Sequence, residues 1–331
     1  MDSSKDKLNI IITGAGGFIG QALTSALLPD EAVSQITLTD VFEPGVPHCK
    51  SRNPNVQTRC LMADLTSRKA CEALFTSDVN LVYLLHGLMS GASEANLELG
   101  IKVNIDSMRQ IFDILREVNP GVKIVFPSST AVYGPPDRPE EVINERTAPL
   151  PGSSYGAQKH ITETLLNDYS RRGLLDGRIV RLPTVLVRPG KPTGAASSFA
   201  SGIFREPLNG ERSTLPVSKD VKLWICSPRT VVKNLIFAQS IPKTRFGASR
   251  IVNLPGRTVS VKEMLGALES TGGRKAVELV EEKRDEATEK IVVSWPARLE
   301  TSLAKELGFS EDVSLEQTLK DYLEDYGPKK S

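Results

Sequence analysis

Tyr155 and Lys159 stand four residues apart in Tyr155-Gly156-Ala157-Gln158-Lys159. On a helix that spacing puts a phenol and an ammonium on one face. A phenol with a reference pKa of about 10 serves as a base near neutral pH only if nearby positive charge favours the phenolate. Lowering it by about three units takes on the order of 4 kcal/mol of differential stabilisation. A Tyr-x-x-x-Lys pair is also a common accident of helix surfaces, so it carries weight only in company. The company is Phe126-Pro127-Ser128-Ser129-Thr130-Ala131-Val132-Tyr133-Gly134, which puts three hydroxyls at the end of an apolar run, upstream of the Tyr helix. There Ser129 would hold a reacting oxygen in line for proton transfer with Tyr155.

A second constellation lies near the start. In Thr13-Gly14-Ala15-Gly16-Gly17-Phe18-Ile19-Gly20, the glycines at 14, 17 and 20 follow a short apolar run and precede a helical pattern. Such a turn needs one glycine to leave the strand, one to let backbone approach a diphosphate and one to let helix and strand pack closely. The N–H groups of the following helix would face the anion. The next strand ends at Asp40, where a carboxylate can accept hydrogen bonds from the adenosine ribose. That carboxylate would repel a 2′-phosphate, and Val41 and Phe42 offer no cation, so NAD is expected over NADP. A turn-forming Asp is the plainer reading of the same residue. Asp64, after the third strand, either caps a helix at Leu65 or contacts adenine.

The elements that must carry these groups alternate. Strand-like runs fall at Leu8 to Thr13, Ile36 to Thr39, Val56 to Met62, Leu81 to Leu85, Val122 to Phe126 and Arg178 to Leu182. Helical patterns lie between them, including one long segment from about Glu94 to Val118 and another from Ser154 to Arg172. Strand–helix alternation predicts an α/β, Rossmann-type, doubly wound parallel sheet. After about residue 186 the texture changes. A loop runs from Arg188 to Ser198, helices are expected at Phe199 to Leu208 and Arg229 to Gln239, and a strand at Arg250 to Leu254. Ser260 and Glu263 form a capping-box pair. The charge run Glu281 to Lys290 reads as the solvated face of a helix. We expect a nucleotide-binding core over residues 1–185, with about 225–254 packing back on it. Residues 186–224 and 255–331 would form a smaller C-terminal α/β substrate lobe.

These features together resemble the extended short-chain dehydrogenase/reductase family, the NAD-dependent epimerase/dehydratase group, over about residues 8 to 190. Counting back from Val132-Tyr133-Gly134, the family's catalytic Ser/Thr falls on Ser129. The resemblance implies a catalytic set of Ser129, Tyr155 and Lys159, and NAD contacts at Gly14, Gly17, Phe18, Ile19, Gly20, Asp40, Asp64, Leu65, Asn104, Tyr155, Lys159 and the stretch Pro183-Thr184-Val185. A narrower likeness, to the D-erythronate dehydrogenases of that family, runs through Asn167 to Gly173, Val187 to Pro192, Ala196 to Leu208 and Ser227-Pro228-Arg229. It implies oxidation of the 2-hydroxyl of a small sugar acid to the 2-oxo acid. A nucleotide-sugar epimerase with tightly bound NAD is the alternative. A dehydratase fits less well, because the Asp-Glu pair it would carry is replaced by Thr130-Ala131. A homodimer is implied by analogy.

An acid substrate needs a counter-charge. Arg188 and Arg229 are the candidates, with Ser90 and Ser197 as hydrogen-bonding neighbours; a surface ion pair is the plainer role for either arginine. His86 stands where the family usually places small residues beside the cofactor. It reads as a satisfied buried histidine or as a substrate contact.

Composition narrows the rest. The 331 residues balance 41 Lys and Arg against 40 Asp and Glu, which gives no reason to expect nucleic acid or a membrane surface. Cys49, Cys60, Cys71 and Cys226 show no metal-ligand spacing and read as reduced thiols of a cytoplasmic protein, with no metal.

Overall fold

The computed structural model describes residues 7–138, 140–192 and 195–327. In chain order its strands are β1 (Leu8–Thr13), β2 (Val33–Asp40), β3 (Gln57–Met62), β4 (Leu81–Leu84), β5 (Lys123–Ser129), β6 (Asp176–Leu182), β7 (Thr184–Val185), β8 (Ser213–Leu215), β9 (Lys222–Cys226), β10 (Ile251–Asn253), β11 (Arg257–Ser260) and β12 (Val280–Glu282). The helices are α1 (Phe18–Leu27), α2 (Arg68–Leu74), α3 (Ser90–Ala95), α4 (Leu97–Ile101), α5 (Ser107–Val118), α6 (Ser154–Arg171), α7 (Ser198–Leu208), α8 (Pro228–Ser240), α9 (Val261–Gly272), α10 (Arg274–Glu278), α11 (Glu286–Val293), α12 (Ser302–Leu307) and α13 (Leu315–Tyr326).

Seven strands form one parallel sheet in the order β10-β6-β5-β4-β1-β2-β3. This is the doubly wound arrangement, in which the order reverses beside β1 and opens a crevice at the carboxyl ends of the strands. β1 shows why both faces must be covered. Ile10 and Ile12 enter the core on one side, with Leu23 and Leu27 of α1 and Leu235 of α8. Ile11, one residue out of phase, enters the core on the other side, with Phe112 of α5 and Leu166 of α6. A third cluster joins α7, α9 and α13 to β9 through Phe199, Phe204, Leu223, Ile225, Leu268 and Leu319. It sits on the small sheet β11-β9-β7 and beside the pair β12-β8.

Three segments depart from expectation. The helix expected from Glu94 to Val118 is interrupted. Asn96 leaves helical geometry and its side chain accepts the Leu99 N–H at 3.0 Å, restarting the chain as α4. A π-helical turn over Lys102–Asp106 then separates α4 from α5 and carries buried Asn104. In the charge run, Val280–Glu282 pairs with Ser213–Leu215 as a strand, and a helix begins only at Glu286, behind the Asp285 cap. Finally α12, expected in the lobe, packs Ala304 and Leu307 into the cluster of the large sheet. The Ser260 and Glu263 capping box is formed in both directions.

One buried ion pair fixes α6 on the sheet. The Glu163 carboxylate, wholly inaccessible, accepts from Arg181 of β6 through both Nε and Nη2 and from Ser128 Oγ of β5 at 2.8 Å. Burial pushes this carboxyl up, but bonds from His160, Arg181 and Ser128 outweigh that and hold it below the usual carboxylate range. Glu163→Ala strands a buried charge on Arg181, so urea unfolding should show a loss of about 3–5 kcal/mol. A loss below about 1 kcal/mol would mean the pair does not hold the helix.

Candidate active site

Everything at the site hangs from the carboxyl ends of β1, β2, β4, β5 and β6. At the first of these, Gly14 turns the chain with φ +62°, and a side chain there would strike the backbone of His86 at 2.7 Å. The Gly17 N–H donates to the Gly14 carbonyl at 3.1 Å, and Gly20 packs directly over Ala15. No side chain caps the N-terminus of α1. A bare backbone cradle with uncapped N–H groups fits a diphosphate. Asp40 closes its edge: Oδ2 accepts from Gly16 N at 3.0 Å and Oδ1 from Val41 N at 2.8 Å. Each oxygen keeps a further lone pair for ribose hydroxyls.

The other nucleotide candidates divide. Ile19 lines the cavity beside Tyr155, whereas Phe18 points the other way, into a cleft between α1, α8 and α13, with its ring centroid 6.3 Å from that of Tyr326. Asp64 Oδ1 accepts from Thr66 N at 2.9 Å and Thr66 Oγ1 at 2.8 Å, so it caps a turn; the helix expected at Leu65 starts at Arg68. The buried Leu65 has its carbonyl tied to Gln110 and Cys71. Asn104 is engaged by protein: Oδ1 takes the Leu88 N–H, and Nδ2 reaches Gln158 Oε1 at 2.7 Å and the Leu88 carbonyl at 3.0 Å. It ties the segment after β4 to α6. Leu182 to Val185, at the end of β6, line the cavity.

Ser129 is the last residue of β5. Period-two alternation sends Ser128 down to Glu163 and leaves Ser129 half-buried at the cavity, where its Oγ accepts from Ala131 N at 3.1 Å. Tyr155 and Lys159 come from the first turns of α6, capped by Ser153. Gly156 lets that helix approach: a side chain there would sit 2.3 Å from the Ala131 carbonyl. Lys159 Nζ donates to the Pro127 carbonyl at 2.9 Å and stands 5.8 Å from the centre of the Tyr155 ring. Ser129, Tyr155 and Lys159 line one cavity of about 200 Å³.

Burial dominates the electrostatics. It pushes the Tyr155 phenol up to about 12, against the opposing charge of Arg188. It draws Lys159 down to about 8, with Glu163 pulling the other way. His86, pushed down to about 3 by burial and by Lys159, is neutral. Its Nδ1 lies 2.8 Å from Thr13 Oγ1 and its Nε2 3.0 Å from Ser107 Oγ. The Ser107 hydroxyl donates to the Val103 carbonyl, so the tautomer carrying its proton on Nε2 fits. Both ring nitrogens are taken, and His86 does not line the cavity.

Residues 10–225 match the NAD dependent epimerase/dehydratase family. The chain belongs to that family. Proteins called D-erythronate dehydrogenase from Haemophilus influenzae and Cupriavidus necator are each 39% identical to it. They align over 96% and 97% of this chain and 99% of their own length. A solved structure of a nucleoside-diphosphate-sugar epimerase from Agrobacterium tumefaciens superposes with a TM-score of 0.90 at 35% identity, covering 100% of this chain and 99% of that one. Within the epimerase/dehydratase family the fold and the cofactor class are thus given, and the substrate-facing wall distinguishes this member.

On that wall the expected residues separate again. Arg188 lines the cavity with Ser90 and Ser197; its Nη2 donates to Ser197 Oγ at 3.3 Å, and Ser90 Oγ accepts from Ala196 N at 3.1 Å. Burial, then the like charge of Arg205, holds the Arg188 guanidinium below its ordinary value. Arg229 is elsewhere. It pairs with Asp321, Glu324 and Asp325 of α13 and lines the cleft of about 920 Å³, which shares no lining residue with the cavity of Tyr155. Sequence reasoning missed Glu163 and Trp295. Tyr155, Lys159 and Glu163 recur at i, i+4 and i+8, a polar stripe on a helix face that turns out to be buried, so Glu163 had a signal. Trp295, in the cavity wall, had none. In this family member Asp40→Ala should relax discrimination against NADP, measured as the ratio of kcat/KM for the two cofactors. An unchanged ratio would reduce Asp40 to an anchor for the Gly16 turn.

No helix among the described residues is long and apolar enough to cross a membrane.

Proposed function

We propose that this chain oxidises the 2-hydroxyl of a small sugar acid, D-erythronate or a near relative, to the 2-oxo acid, with NAD as acceptor. The observation that carries the reading is Arg188. It lies in the wall of a cavity of about 200 Å³ with Ser129 and Tyr155, and no carboxylate among the described residues pairs with it. A largely buried guanidinium without an acid calls for an anionic ligand, and a carboxylate can be held bidentately. The names of the two relatives at 39% identity supply the substrate class.

The roles follow from the hydrogen bonds. Ser129 Oγ already accepts from Ala131 N, so its proton remains to donate to the substrate oxygen. Tyr155 Oη takes the proton of that hydroxyl. Lys159 uses one N–H on Pro127 and keeps two for ribose hydroxyls. NAD, which the glycine cradle, Asp40 and Lys159 would hold, supplies the hydride acceptor and, when oxidised, a positive charge beside the phenol. That charge is needed, because the opposing charge of Arg188 does not overcome the burial of Tyr155.

Purified protein with NAD and D-erythronate should generate NADH absorbance, and Tyr155→Phe should abolish it while NAD still binds. No NADH from any sugar acid, with turnover of a nucleotide sugar instead, would replace this reading by an epimerase. The base form of Tyr155 grows with pH, so oxidation should rise from about pH 6 to about pH 9. A flat profile would remove Tyr155 as the base. Arg188→Ala should raise the KM for the acid roughly a hundredfold, with NAD affinity unchanged.

A further inference from the structure

Arg188 is held in place by side chains. β7 ends at Val185, and the chain makes a further backbone bond to β9 at Leu186, whose N–H donates to the Cys226 carbonyl at 3.2 Å. Two residues later the chain has no regular structure, and no backbone group among the described residues meets the N–H or the carbonyl of Arg188. Side chains of α7 and of its N-cap Ser197 take over. Arg188 N donates to Ser201 Oγ at 3.0 Å, and the Arg188 carbonyl accepts from Arg205 Nη1 at 3.0 Å. Arg188 Nη2 donates to Ser197 Oγ at 3.3 Å. Ser197, Ser201 and Arg205 are spaced four apart, which is a stripe along one face of a helix. That stripe grips one residue at three points, through its backbone and its side chain.

The grip is buried. Ser201 is wholly inaccessible, and Arg205 is 6% exposed. A bond from a charged donor is among the stronger ones, and more so away from water. Arg205 Nη2 also pairs with the carboxylate of Glu206. That acid offsets the Arg205 charge and lets a second guanidinium lie nearby. Arg188 has no such acid among the described residues, and the like charge of Arg205 adds to its demand for an anion.

We propose that Arg205 and Ser201 are positioning residues: through the backbone of Arg188 they aim its guanidinium at the substrate carboxylate. This rests on the sugar-acid reading above. The group that recognises the acid stands on an irregular segment, where the backbone alone fixes little. The α7 stripe supplies the rigidity that lets a planar fork meet a carboxylate with two bonds. Neither Ser201 nor Arg205 lines the cavity, so both act through Arg188.

The test is a double-mutant cycle on Arg205 and Arg188, read as steady-state constants for D-erythronate with NAD. Arg205→Met keeps a long side chain and removes the donor. Its KM for the acid should rise about tenfold, with kcat within about twofold of wild type and NAD affinity unchanged. In an Arg188→Ala background the same substitution should change kcat/KM by less than about twofold, because the residue it acts through is gone. Equal losses in the two backgrounds, or a loss confined to kcat, overturn the proposal and leave the function standing. Should Arg205→Met fold poorly, Ser201→Ala removes a single hydroxyl in its place. It should raise KM about threefold, and only while Arg188 is present. An unchanged KM in Ser201→Ala, or the same rise without Arg188, overturns the proposal. If wild-type protein reduces NAD with none of the sugar acids, the function falls, and this inference with it.

Discussion

A carboxylate with none of its surface exposed sits between the helix that carries the phenol and the two strands that end beneath it. Glu163 takes hydrogen bonds from Ser128 of β5 and Arg181 of β6, and lies one turn from Lys159 on α6. Ser129 is the next residue along β5, and Pro183 follows β6 directly. One buried ion pair therefore sets the height and rotation of Tyr155 and Lys159 relative to the hydroxyl and the cofactor wall they must meet. Such a pair adds little net stability compared with an apolar substitute, because desolvation offsets the attraction. Its value here is positional. Gly156 against the Ala131 carbonyl supplies a matching contact at the start of the same helix.

Around this anchor the protein has removed water more thoroughly than it has supplied charge. Tyr155, Lys159 and His86 are all pushed toward their neutral forms by burial. The phenol thus stays protonated until more positive charge arrives, and Arg188 alone opposes its burial. If the proposed function holds, the two ligands would pull in opposite directions: an oxidised nicotinamide would add positive charge, while a substrate carboxylate would neutralise Arg188. The balance between them would then decide how much phenolate exists in the ternary complex.

Much of this was legible in the chain. The run Leu8 to Thr13 followed by spaced glycines specifies a buried strand and a bare turn through local sterics alone, and Asp40 at the next strand end follows from the same geometry. The Tyr155 and Lys159 pair was legible because helical periodicity is a local property. Less visible was anything that depended on distant partners. Arg188 and Arg229 look alike in sequence; what separates them is that α13, nearly a hundred residues further on, brings three carboxylates to Arg229. Asn96 broke an expected helix through a side-chain bond that competes with the backbone ladder. Val280–Glu282 became a strand because Ser213–Leu215 was there to pair with it. Trp295 has no signature, since its place in the wall comes from contacts that its neighbours Ser294, Ala297, Arg298 and Glu300 make to Gly152, Thr258 and Ile143.

The route of the chain has a mechanical consequence. It leaves the large sheet after β6, lays β7 beside β9, and returns as α8 and β10; it departs again into β11 and α9 and comes back with α12. Enzymes whose two halves share a single connector can swing open like a jaw. Here several connectors cross the seam at separate points, and each one braces the others against rotation. A wide swing of one part against the other would strain every crossing at once, which leaves short movements of the segments around the cavity mouth as the less costly route for a ligand.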